Sequence, residues 1–209
     1  MKSLLVAVLS LLLTPMAVSA ADAAKYEEGV QYQLISPAVP TGDPATIEVV
    51  ELFWYGCPHC FALAPLVHDW LKTKPNDVTF KLVPAIFSPQ WSIHARAMYA
   101  AQALGVDDKL HRPLFDAIHV DHRKLTNEDE LVAFAGEQGI DKAEFRKAFE
   151  SPTVEARVKK AALLTREYGI DGVPSVIVNG KYRITAASAG GQDKILAIAN
   201  FLIDKERAH

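Results

Sequence analysis

Cys57 and Cys60 are the only cysteines in the chain, and only Pro58 and His59 separate them. They fall where a nearly continuous apolar run, Thr46 to Phe53, gives way to a helical pattern. A C-x-x-C pair at a strand-to-helix junction constrains the fold more than any other feature of the chain, because it reads as a redox site. With Cys57 at the N-cap, Pro58 occupies the first helical position, where its missing N–H has no partner to lose. The amides of His59 and Cys60 then belong to the unpaired donors of the first turn. A sulfur placed beside them is favoured as thiolate by those amides and by the helix dipole. His59 adds an imidazole able to donate to that thiolate or to stabilise its charge. Cys57 is therefore the expected nucleophile, and Cys60, one turn inside the helix, the residue that closes the bridge.

Residues 1–20 read as an export signal. Lys2 supplies the positive start, Leu4 to Leu13 the apolar region, Pro15 its end, and Val18-Ser19-Ala20 the small residues of a cleavage site. The apolar stretch is about half of the roughly 20 residues needed to cross a bilayer, so the chain is expected to be exported and not membrane-anchored. Export puts Cys57 and Cys60 where disulfides persist. A bridge closing so small a loop removes little chain entropy, which argues for a chemical rather than a structural role. Loss of residues 1–20 removes Lys2 and no acid, taking the net charge from −3 to −4. With no basic tract, phosphate-cradling glycine loop or repeat either, nucleic-acid binding is set aside.

Along the chain, Lys25 to Gly42 is a polar, proline-marked arm with an edge strand expected at Gln31 to Ile35. Thr46 to Phe53 is a strand covered on both faces, interrupted by Glu48 and Glu51, whose odd spacing sends them to opposite faces. Glu48 is expected to be solvated and Glu51 to lie deeper, near Cys60. The helix from Cys57 is expected to reach about Lys74, kinked at Pro65. Val78, Phe80 and Leu82 alternate with polar residues as a second strand. Ser88 to Tyr168 carries helical patterns only, with Asn127/Glu130 and Asp141/Glu144 at capping-box spacing, a disturbance at Pro113 and a helix opening at Ser151-Pro152. Strand signals return at Ser175 to Val178, turn at Asn179-Gly180, continue at Tyr182 to Ile184, and precede a last helix over Gln192 to Lys205.

The Cys57-Pro58-His59-Cys60 motif, Gly172-Val173-Pro174 and Val178-Asn179-Gly180-Lys181-Tyr182 resemble the DsbA family of bacterial periplasmic thiol:disulfide oxidoreductases, and the element order agrees. The resemblance covers nearly all of the chain after residue 20. It implies an α/β, thioredoxin-like fold with an inserted helical domain: residues 21–87 and 169–209 form the discontinuous thioredoxin-like part and 88–168 the insert. It implies a periplasmic monomer that oxidises reduced, unfolded exported proteins and is re-oxidised by a quinone-linked inner-membrane protein, with no organic cofactor. It further implies a cis-proline loop at Pro174 facing the cysteines, with Val173 offering its backbone to an extended substrate. Glu51 becomes a buried acid beneath the site that relays the proton of Cys60, its own pKa raised. The chain departs from the best-known members in two places: Leu82 stands where they carry a buried lysine beside this glutamate, and Ala64 where they carry a further acid. Lys81, one residue away, points to the other face.

Other chemistries fit less well. A metal site at the cysteines needs two more ligands; His94, His111, His119 and His122 are available, the last two flanking Asp121, but no metal is expected. Covalent haem needs a histidine directly after the second cysteine, where this chain has Phe61. A reductase or isomerase on the same fold, or a peptide-binding chaperone or metal carrier with incidental cysteines, are the functional rivals.

Overall fold

A computed structural model gives the fold, and the structure describes residues 25–208. The expected signal peptide lies outside the described residues. In chain order the elements are β1 (Gln33–Leu34), β2 (Ile47–Phe53), α1 (Pro58–Leu71), β3 (Val78–Pro84), α2 (Pro89–Ala103), α3 (Asp107–His119), α4 (Glu128–Glu137), α5 (Lys142–Phe149), α6 (Pro152–Glu167), β4 (Ser175–Val178), β5 (Tyr182–Thr185), α7 (Ala186–Ala189) and α8 (Gln192–Arg207). One mixed sheet runs β1-β5-β4-β2-β3. β2 and β3 are parallel, so the chain must cross over between them, and α1 is that crossover. β4 lies antiparallel to β2 and to β5, which the Asn179-Gly180 turn joins. Both turn residues have positive φ, 50° and 65°, as a tight two-residue hairpin demands. Gly180 is further required because the Val39 carbonyl occupies the space a side chain would take.

The pleat of β2 separates two layers. Val49 joins Leu63, Val67 and Trp70 of α1 with Ile195, Ile198 and Leu202 of α8. Val50 and Leu52, on the other face, belong to a core that continues without a break into α2–α6, through Ala97, Leu114, Phe145 and Val158. Each fully buried Leu, Ile or Phe in such a core is worth about 1.5–3 kcal/mol relative to exposure. The architecture is the expected thioredoxin-like α/β fold with an inserted helical domain. The helices run from the Ser88 N-cap of α2 to the Tyr168 C-cap of α6.

Local expectations fare unevenly. Asn127 accepts from the Glu130 amide, but Glu130 reaches back to the Thr126 amide rather than to that of Asn127. Asp141 and Ser151 cap α5 and α6 as their spacing indicates. α1 ends at Leu71, short of Lys74, and α3 runs unbroken through Pro113. Pro113 is the seventh residue of α3, past the first turn, so it forgoes the bond its N–H would have made to the Lys109 carbonyl, and the buried side chains of Leu110, Leu114 and Phe115 hold the helix through it. Glu48 is not solvated. It is 5% exposed and paired with Lys81 from the neighbouring strand, which keeps its charge compensated away from water.

Candidate active site

β2 delivers the chain to Trp54-Tyr55-Gly56, a turn closed by the Cys57 amide donating to the Trp54 carbonyl at 3.0 Å. α1 then starts at Pro58 with Cys57 as an extended N-cap, φ −92° and ψ 117°. The turn and the proline together place the first cysteine at the helix mouth and the second inside it. Cys57 is 8% exposed and Cys60 is fully buried; both are free thiols. The Cys57 sulfur makes no capping hydrogen bond, contrary to the simplest reading of its position. As a thiol it donates instead to the Val173 carbonyl, 3.4 Å away. That contact brings Val173 and Pro174, far away in sequence, against the nucleophile, and the Val173–Pro174 peptide is cis. Ser175 secures this loop by donating to the Gly172 carbonyl at 2.8 Å. Ser36–Pro37 is a second cis bond, which no motif announces.

The two sulfurs are electrostatically unequal. The Cys57 pKa is lowered from 9.0 to about 6. The largest cause is hydrogen bonding from the Cys60 thiol; partial burial opposes it, and the amides of Cys60 and His59 and then the His59 imidazole add to it. The amides thus miss good geometry to the thiol yet favour the anion. Cys60 is pushed upward, by burial first and by its bond to Cys57 second. His59 is exposed, and its contribution comes last in that order. Its carbonyl receives a 2.6 Å bond from Gln192, so the first residue of α8 holds the C-x-x-C turn, a contact that 133 positions of separation hide from local patterns.

Glu51 lies beneath. It is 3% exposed, and its pKa is raised from 4.5 to about 8 by burial and, secondarily, by the charge on Cys57. At neutral pH it therefore holds a proton. Leu82 sits directly beside it in the β2–β3 register, so no buried cation compensates it there. Glu51 is one of the residues lining a cavity of about 470 Å³, with Ala64, Leu82, His68, His111 and Arg112 among the others. Beside the cysteines a second concavity of about 700 Å³ is bounded by His59, Gly172, Val173, Pro174 and Ala187. Cys57, Pro58, His59, Cys60, Glu51, Val173 and Pro174 thus converge on one place. Sequence reasoning missed Tyr55 and weighed His111 and His119 only as possible metal ligands. Tyr55 is 1% exposed; its hydroxyl meets His111 Nδ1 at 2.9 Å and its carbonyl accepts from His119 Nε2 at 2.7 Å. Among the described residues, no helix is long and apolar enough to cross a membrane.

Comparison with known proteins gives one answer. The DSBA-like thioredoxin domain family model matches residues 48–200. The thiol:disulfide interchange protein DsbA of Pseudomonas syringae pv. tomato is 42% identical over 190 residues, 91% of this chain and 89% of its own length. The protein of the same name from Azotobacter vinelandii is 45% identical over 180 residues, 86% of this chain and 84% of its own. Among solved structures, Pseudomonas aeruginosa DsbA superposes with a TM-score of 0.85 at 41% identity, covering 89% of this chain and 97% of that one. The oxidoreductase DsbA from Xylella fastidiosa gives a TM-score of 0.80 at 34% identity, covering 86% and 96%.

Proposed function

Because the chain belongs to the DSBA-like thioredoxin domain family and is a thiol:disulfide oxidoreductase, we propose that it oxidises newly exported proteins in the periplasm, as a monomer, by donating a disulfide formed between Cys57 and Cys60. The observation that carries the direction of transfer is the inequality of the two sulfurs: Cys57 with a small part of its surface open and a pKa of about 6, Cys60 fully buried with its pKa raised. A client thiolate attacks the Cys57 sulfur of the bridge. The Cys57–Cys60 bond breaks, Cys60 leaves with the electron pair and takes up a proton, and a client–Cys57 mixed disulfide remains. A second client thiolate then attacks the client's sulfur, and Cys57 leaves as the stabilised thiolate. Two electrons have passed from client to enzyme, and the client holds the new bridge. A low leaving-group pKa speeds the second displacement, and the stable thiolate makes the oxidised form the less favoured one.

The remaining residues fit roles around these steps. Protonated Glu51 is positioned to supply the proton that departing Cys60 needs. The groove beside Val173 and Pro174 suits an extended client segment, whose backbone would pair with that of Val173. Re-oxidation by a quinone-linked inner-membrane protein would return the bridge. Residues 1–20 have the pattern of an export signal, which supports the periplasmic location. The test is to mix oxidised protein with a reduced dithiol peptide. Stoichiometric appearance of peptide disulfide supports a donor; transfer only in the opposite direction would make it a reductase, and no exchange at all would leave the cysteines incidental.

His59→Ala probes the weakest of the thiolate's partners. The Cys57 titration should rise by a fraction of a pH unit, making the bridge less oxidising by less than roughly 30 mV, where about 30 mV is tenfold in equilibrium constant. Thiolate absorbance against pH, with equilibration against glutathione, measures both. Unchanged values would reduce His59 to a surface residue.

A further inference from the structure

Tyr55 is held at both ends by one helix. Its hydroxyl meets Nδ1 of His111, and its main-chain oxygen meets Nε2 of His119. A carbonyl can only accept, so His119 Nε2 carries the proton, and the tautomer is set by the contact. The two histidines stand eight residues apart on α3, about two turns. Tyr55 is the middle residue of the turn whose first carbonyl, on Trp54, receives the Cys57 amide. His119 also lies flat on the Phe61 ring, with centroids 4.9 Å apart and planes at 18°. Phe61 follows Cys60 directly and is tied by its amide to the Cys57 carbonyl at 3.0 Å. One imidazole therefore touches the chain on both sides of the C-x-x-C, in the turn before it and in the first turn of α1 after it. Phe115, one turn before His119, closes the same cluster against Tyr55 at 4.9 Å and Phe61 at 6.1 Å.

We propose that His111 and His119 are positioning residues for the redox site: they fix Tyr55, and through it the turn that presents Cys57, in register with the first turn of α1. This deepens the reading of Cys57 and Cys60 as the redox pair and rests on it. The thiolate's hydrogen-bond partners are the Cys60 thiol and two amides of α1, whereas Cys57 itself is delivered by the Trp54–Gly56 turn. Their alignment depends on how that turn is seated against the helix, and the seating comes from α3 in the inserted helical domain. The polar tie matters because Tyr55 is otherwise surrounded by Phe53, Phe115 and the histidine rings, contacts that allow sliding where a hydrogen bond to a carbonyl does not. Burial keeps His111 neutral near pH 7, its pKa lowered to about 4 despite Asp107, while Arg112 acts in the same sense as burial and Asp108 against it.

The experiment compares three substitutions with wild type by Cys57 thiolate titration, equilibration with glutathione, and thermal melting. His119→Phe keeps the stack on Phe61 and removes the donor. It should raise the Cys57 titration and shift the glutathione constant roughly threefold to tenfold toward a weaker oxidant, the size of one lost hydrogen bond. His119→Gln restores a donor without the imidazole and should remain within about twofold of wild type, the remainder reflecting the lost stack. Tyr55→Phe deletes a single hydroxyl and should shift the titration in the same direction by a smaller factor. A His119→Phe protein with wild-type titration and glutathione constant overturns the proposal even if its melting point falls. So does a His119→Gln protein as impaired as His119→Phe. Should His119→Phe not fold, Tyr55→Phe decides, and an unmoved titration there counts against the proposal. Failure of the wild type itself to oxidise the dithiol peptide would instead sink the redox assignment on which this rests.

Discussion

Cys57→Ser is expected to abolish disulfide transfer, whereas Cys60→Ser, mixed with clients that already carry a disulfide, is expected to accumulate mixed disulfides on Cys57, whose thiolate attacks the client bridge and expels the client's other thiolate. The asymmetry follows from position. Cys57 is at the N-cap with 8% of its surface open, while Cys60 has none, so an incoming thiolate reaches only the first sulfur. It follows equally from charge, since Cys57 leaves as a thiolate near pH 7 and Cys60 does not. Without Cys60 the enzyme has no second thiol to attack Cys57 and expel the client, so an adduct formed on a client disulfide persists until a client thiol returns to it. Non-reducing gels read the outcome; stable adducts on Cys60 in the Cys57→Ser protein would reverse the assignment. A second effect is built in. The Cys60 thiol is the largest single support of the Cys57 thiolate, so Cys60→Ala should raise the Cys57 titration further than Cys60→Ser, whose hydroxyl still donates.

The redox pair and its surroundings were legible because their signals are local or carried by short motifs. Cys57 to Cys60 combines a proline at N1, a helix start and two thiols within four residues; Asn179-Gly180 names its own turn. The β-branched run of β2 and the alternation of β3 sufficed for both strands, and the parity of Glu48 and Glu51 for their opposite faces. What failed was the burial of Glu48, because nothing in its own neighbourhood says that Lys81, on the next strand, will come alongside it. The contacts of Tyr55 with His111 and His119, of Gln192 with His59, and of Cys57 with Val173 span 56 to 133 residues. Each is made by topology, and no periodicity encodes them. The histidines were noticed only as stray metal ligands. Their even placement on one helix, beside Pro113 and Phe115, carried no label for the tyrosine they would meet. The strength ranking at Cys57 was also hidden: helix and imidazole are visible in sequence, but the dominance of Cys60 depends on where its sulfur points.

Glu51→Gln is expected to make the protein more stable near neutral pH and, at the same time, slower as a disulfide donor. Glu51 is buried and its folded pKa of about 8 lies above the unfolded value of 4.5, so the folded state holds a proton that the unfolded chain releases. For a raised acid, the favourable balance is complete below the unfolded pKa and is lost as pH climbs toward the folded one. Wild-type stability should therefore fall between pH 4.5 and about 8 on account of this group, a loss on the order of 3 kcal/mol at pH 7. Glutamine has no proton to release and should remove that slope, so the two proteins should match near pH 4 and diverge above it. Because the Cys57 charge is the second cause of the shift, the gain should be larger in reduced than in oxidised protein, where the bridge carries no charge. The kinetic cost has a different origin. Departing Cys60 needs a proton in a fully buried setting, and the amide of glutamine cannot give one up. Leucine at position 82 sharpens the case, since no ammonium group stands beside the carboxyl to hold it ionised or to share its proton. Denaturant melts of both redox forms across this pH range, with rates of peptide oxidation, separate the two effects. Parallel stability curves for Glu51→Gln and wild type would mean that the carboxyl is ionised and solvated through the cavity, and unchanged transfer rates would mean that water alone protonates Cys60.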